Sequence, residues 1–112
     1  MQLICHCEDC RASTGRSFAQ IAFFKEREIA ILGNVISDQY TSALGNQTYR
    51  DKCPKCGEVI FDRSNAFPGL IGVMAERIAN FDFNPVAHVW AKSKIGLIDN
   101  CDALKVFEEG MT

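Results

Sequence analysis

Apolar residues fall in short runs along this chain, and each run stops at glycine, proline or a small polar cluster. Ser17-Phe18-Ala19-Gln20-Ile21-Ala22-Phe23-Phe24 reads as a strand over Phe18–Phe24. Lys25–Ile29 fits one helical turn. Ile29–Leu32 reads as a short strand stopped by Gly33-Asn34, and a further strand is expected near Ile36–Thr41. Gly45-Asn46 marks a turn, after which Gln47–Arg50 runs extended. Glu58–Arg63 and Leu70–Met74 read as strands, as does His88-Val89-Trp90-Ala91, opened by Pro85. Residues 102–109 are too few for periodicity to choose between helix and strand. No repeat or linker divides the chain, so a single domain over residues 1–112 is expected. Many short strands with this punctuation predict a mainly β fold.

Composition narrows the function classes. With 112 residues the chain buries only a modest core, so a bound metal would add useful stability. The net charge of −2, with no basic run, argues against nucleic acid as a partner, because phosphate binding needs clustered Lys and Arg. No stretch approaches the roughly 18 apolar residues of a membrane span. Met1-Gln2-Leu3-Ile4 has neither the basic flank nor the apolar core of a secretion signal, so a reducing, cytoplasmic setting is expected.

Six cysteines change the picture most. Disulfides are rare in a reducing compartment, and the cysteines are spaced as metal ligands: Cys5-His6-Cys7-Glu8-Asp9-Cys10, then Cys53-Pro54-Lys55-Cys56. The second motif has the form of a zinc knuckle. Pro54 pre-sets its first turn residue, and Gly57 can leave the turn in a left-handed conformation. Arg11-Ala12-Ser13-Thr14-Gly15 reads as a turn leaving the first motif. Cys101 stands alone and reads as an inert thiol.

Ligand arithmetic leaves two arrangements open. Cys5, Cys7 and Cys10 can form a three-thiolate site whose fourth position is free, as in catalytic zinc centres. Alternatively, Cys7 and Cys10 join Cys53 and Cys56 in one closed structural site that leaves Cys5 spare. Around these ligands, His6 is expected to point away from the metal, as an outer neighbour or an exposed residue, and His88 to be a satisfied structural histidine. Glu8 and Asp9 read as solvated turn positions or, less simply, as a base beside the metal. Arg11 reads equally as a surface charge and as a group that attracts an anionic substrate.

Taken together, Cys5-His6-Cys7-Glu8-Asp9-Cys10-Arg11 with Gly15 and Phe18, Cys53-Pro54-Lys55-Cys56-Gly57, and the later Pro85, His88-Val89-Trp90 and Lys94 resemble the glutathione-dependent formaldehyde-activating enzyme and centromere protein V family. The resemblance covers nearly the whole chain. It implies a small zinc-binding β-tent of short antiparallel strands, with Cys5, Cys7 and Cys10 as the open, catalytic zinc site. It also implies a structural zinc held by Cys53 and Cys56 with an earlier C-x-C pair, some twenty residues before the central motif. Cys5 lies almost at the start of this sequence, so the chain is expected to be N-terminally truncated relative to the family. The sequence also departs from the family pattern over Ala75–Asn80, where an Asp is usual, and at Ile95-Gly96-Leu97, where a Trp is usual. The activity implied is that of a zinc-dependent carbon–sulfur lyase acting on a thiol–aldehyde adduct, S-hydroxymethylglutathione or a related substrate. Its partner would be a small-molecule thiol such as glutathione. The alternatives are a non-catalytic zinc module that binds a protein and a degenerate family member.

Overall fold

A computed structural model describes residues 1–42, 44–95 and 104–110. Among the described residues, eight strands and one α-helix form a single domain: β1 (Gln2–Cys5), α1 (Glu8–Thr14), β2 (Ala19–Lys25), β3 (Ile36–Thr41), β4 (Gln47–Lys52), β5 (Val59–Ser64), β6 (Leu70–Met74), β7 (Ala87–Val89) and β8 (Lys105–Val106). They hydrogen-bond into one sheet in the order β3-β4-β5-β6-β2-β1-β7-β8. The pairings are antiparallel except β1–β7 and β7–β8, which are parallel. The mainly β expectation therefore holds.

The core gathers where β1, β2 and β7 meet, around Leu3, Ile21, Val59, Met74, Ala87 and Val89, with Cys5 and Cys10 buried among them. Alternation explains the choice of β1 residues. Leu3 and Cys5 share one face of the strand and are buried, while Gln2 and Ile4 on the other face are only half-buried. Close packing of the sheet shows at Gly72, paired with Phe23 and Asp62, where a Cβ would stand 2.7 Å from Ile21 Cγ2 and 3.2 Å from the backbone oxygen of Asp62.

Three elements differ from expectation. The segment Arg11–Gly15 is not a bare turn: Arg11 to Thr14 complete α1, and Gly15 closes it with φ +69°. Ile29–Leu32 forms no strand, and Leu32 is 93% exposed. β2, which precedes it, is already paired on both edges by β1 and β6, so the segment leaving it meets no free edge there. The strand expected from His88 to Ala91 is instead Ala87–Val89. Trp90 turns out of it with φ +58°, and Ala91–Ser93 make a 3-10 turn. Of the C-terminal stretch, Lys105–Val106 is strand, whereas residues 102 and 103, like Cys101, lie outside the described residues.

Candidate metal centre

The first cysteine motif straddles the end of β1 and the start of α1. Cys5 is the last residue of β1, turned to the buried face, and Cys7 is the N-cap of α1. A thiol replaces the usual capping hydroxyl: the Cys10 backbone N–H donates to Cys7 Sγ at 3.3 Å. That bond fixes the C-x-x-C half of the motif. The Cys5 thiol donates to Cys7 Sγ at 3.5 Å, and all three sulfurs lie within 4.8 Å of one another. Glu8 and Asp9 occupy the first turn of α1, where carboxylates suit the positive end of the helix.

The three thiols differ in how readily each gives up its proton. Cys7 is held well below the ordinary thiol range by hydrogen bonds from the Cys10 and then the Cys5 side chains, helped by the Cys10 backbone N–H. Cys5 is pushed up by hydrogen bonding to Cys10 and then Cys7, and by burial. The cluster is thus poised to hold negative charge at one sulfur, and a divalent cation would favour it at all three.

The three cysteines line a cavity of about 590 Å³, together with Leu3, Ile21, Phe23, Phe67 and Trp90 and with Glu8 and Asp9 beside Cys7 in the chain. Against Cys10 lies a group that the sequence reading did not single out. Arg50 of β4 is buried, and its Nη2 donates to Cys10 Sγ at 3.2 Å. Tyr40 of β3 accepts from Arg50 Nη2 at 2.7 Å and from Nε at 3.1 Å. Asp62 of β5 faces Arg50 Nη1 at 3.6 Å. Its carboxyl is pushed up by burial, against the pull of Arg50.

The remaining expected residues fall as follows. His6 is buried rather than exposed. It points away from the sulfurs, and its Nε2 meets Nδ1 of buried His88 at 3.0 Å, which makes His88 the satisfied structural histidine that was expected. Arg11 does not face the cavity; its Nε donates to the His6 carbonyl oxygen at 3.3 Å. Cys53 and Cys56 close the β4–β5 hairpin, where the Gly57 N–H donates to the Cys53 carbonyl at 2.8 Å. Cys53 is held below the ordinary thiol range by the backbone N–H of Cys56 and then of Lys55, as a knuckle requires. Arg77 Nη2 lies 3.4 Å from Cys56 Sγ and pairs with Glu58. The closed site combining Cys7 and Cys10 with Cys53 and Cys56 is not formed. Among the described residues, Cys5, Cys7 and Cys10 make the one group of three or more converging ligand side chains, and the knuckle joins none. The geometric reason is that Arg50, not the hairpin tip, is the part of β4 that meets Cys10.

Fold and site together define a class: a small, mainly antiparallel β domain with a three-cysteine cluster, compatible with zinc, opening onto a cavity. Within that class the family is specific. Residues 1–93 match the family described as glutathione-dependent formaldehyde-activating enzyme, and the chain belongs to it. No curated protein matches the chain. Among the described residues no helix is long and apolar enough to cross a membrane.

Proposed function

We propose that the chain is a zinc-dependent carbon–sulfur lyase-type enzyme acting on the adduct of a thiol with an aldehyde, glutathione with formaldehyde being the pair its family is described by. The observation that carries this reading is the convergence of three thiols lining a cavity large enough for a small molecule. The donor set fits zinc. Thiolates about 2.3 Å from a tetrahedral ion stand roughly 3.8 Å apart, and these sulfurs lie within 4.8 Å of one another before any ion draws them in. Cys5, Cys7 and Cys10 would hold it. Bound there, zinc supplies a soft Lewis acid with one position left for a substrate sulfur.

The chain's own groups then do two things. Phe23, Phe67 and Trp90 line the cavity and give a bound substrate an apolar wall beside the sulfurs. Adding a thiol to an aldehyde moves one proton from sulfur to oxygen, and Glu8 and Asp9 line the cavity beside the cysteines as carriers for it. Burial and then the charge of Cys7 raise the Asp9 carboxyl, which suits a group that must hold a proton briefly. A cytoplasmic setting keeps these thiols reduced. The alternative of a non-catalytic zinc module that binds a protein accounts for the sulfurs but leaves the cavity beside them without a role.

The test is the rate of interconversion between glutathione with formaldehyde and S-hydroxymethylglutathione, followed by exchange spectroscopy with zinc-loaded protein. The wild-type chain should exceed the no-protein rate and Cys7→Ser should not. A wild-type rate equal to the control, with zinc bound, would replace the enzyme by the binding module.

A further inference from the structure

We propose that Arg50 is the positioning residue of the three-cysteine centre: reaching in from the facing strand, it aims Cys10 Sγ and supplies the positive charge against which a three-thiolate zinc is held. This rests on the metal-centre reading above.

Three thiolates around a divalent cation leave one net negative charge, and a thiolate substrate would add another. Placing that charge beside a buried core is costly unless an opposite charge is near. Arg50 is that charge. Its side chain is only 4% exposed, and among the described residues it is the cation that touches a sulfur of the cluster. Burial of a guanidinium here is otherwise unexplained, because its carboxylate partner is not close enough to satisfy it. Asp62 Oδ2 stands 3.6 Å from Nη1, and neither Arg50 Nη1 nor Asp62 Oδ1 has a hydrogen-bond partner among the described residues. The well-formed bonds of Arg50 go to Cys10 Sγ and to Tyr40.

The brace is built from three adjacent strands. Arg50 pairs across the ladders with Asp38 on β3 and Asp62 on β5, and Tyr40 lies two residues along β3 on the same face as Asp38. Tyr40 takes two of the guanidinium N–H groups, fixing the plane of the fork so that Nη2 points at Cys10. Ligand neighbours of this kind orient the ligand and tune the metal, and their loss commonly costs on the order of 10–100-fold in affinity. Asp62 works against Arg50 electrostatically, so the two side chains should act on the metal with opposite signs.

The experiment is a zinc competition titration against a coloured chelator, using the full chain and the variants Arg50→Gln, Arg50→Lys and Asp62→Asn, with circular dichroism to confirm folding. If wild-type protein takes up no zinc, the metal-centre reading itself fails. If it does, Arg50→Gln should bind zinc on the order of tenfold or more weakly, Arg50→Lys should recover part of that loss, and Asp62→Asn should bind more tightly than wild type. Folded Arg50→Gln protein with wild-type affinity would overturn the proposal. So would Arg50→Lys no better than the glutamine variant. Should Arg50→Gln fail to fold, Asp62→Asn decides, because unchanged or weaker binding there contradicts a charge role for the pair.

Discussion

Asp51 shows what a single buried side chain contributes outside the site. It is 1% exposed and accepts hydrogen bonds from Ser37 Oγ at 2.5 Å and from Arg63 Nε and Nη2, each at 3.0 Å, across the β3–β4 and β4–β5 ladders. Asp51→Ala removes the acceptor of three hydrogen bonds and should cost about 1–3 kcal/mol in denaturant unfolding, because Arg63 is partly exposed and water takes over its charge, whereas Lys92→Ala, which removes an exposed pair with Glu109, should cost less than about 1 kcal/mol. The buried His6–His88 contact carries a pH dependence. Burial lowers His88 below the ordinary histidine value of 6.5, so below that value the unfolded chain binds more protons than the folded one. The stability contributed by a neutral His88 is therefore full above 6.5 and lost as pH falls below it. Unfolding midpoints measured from about pH 8 to about pH 5 should fall less steeply for His88→Gln than for wild type. Comparing the two proteins at each pH cancels any acid release of thiolate-bound metal.

At the scale of elements, what the sequence made legible was the set of strands bounded by clear punctuation. The cores of β2, β3, β5 and β6 fall where alternation and punctuation place them, within a residue or so at each end. Two elements that hold the site were not legible. β1 has four residues and ends inside the cysteine motif, so its alternation of Leu3 and Cys5 is masked by ligand chemistry. α1 has seven residues, a polar composition and a thiol N-cap instead of Ser, Thr, Asp or Asn, so neither periodicity nor a standard cap announces it. Gly72 also escaped notice, since a glycine inside an apolar strand signals close approach without naming the neighbour. Gly72→Ala should destabilise the chain by about 1–3 kcal/mol, because its Cβ collides with Ile21 and the Asp62 backbone. Thermal melting checks this, and an unchanged midpoint would mean that β2 and β5 yield freely around β6.

At the scale of the molecule the site depends on curvature. β4 and β1 stand four strands apart in the sheet, which in a flat sheet would separate them by roughly 19 Å. Yet Arg50 on β4 reaches Cys10 just beyond β1, so the sheet bends around the cavity and brings its two halves together at the sulfurs. The cysteine cluster could be read from sequence because ligand spacing is local. Tyr40, Arg50 and Asp62 could not, because their meeting with Cys10 depends on that bend. The alternation in Gln47-Thr48-Tyr49-Arg50 even suggests the wrong face, since Thr48 and Arg50 are the buried pair and Tyr49 is less so. The central claim is that Cys5, Cys7 and Cys10 form a metal centre independent of the Cys53–Cys56 knuckle. The most direct measurement is elemental analysis of zinc per chain in wild type, Cys7→Ser and the double variant Cys53→Ser/Cys56→Ser, purified alike. The account predicts that the double variant retains about one zinc per chain and that Cys7→Ser loses about one relative to wild type. A double variant with no zinc, beside a Cys7→Ser protein that keeps all of it, would contradict the account.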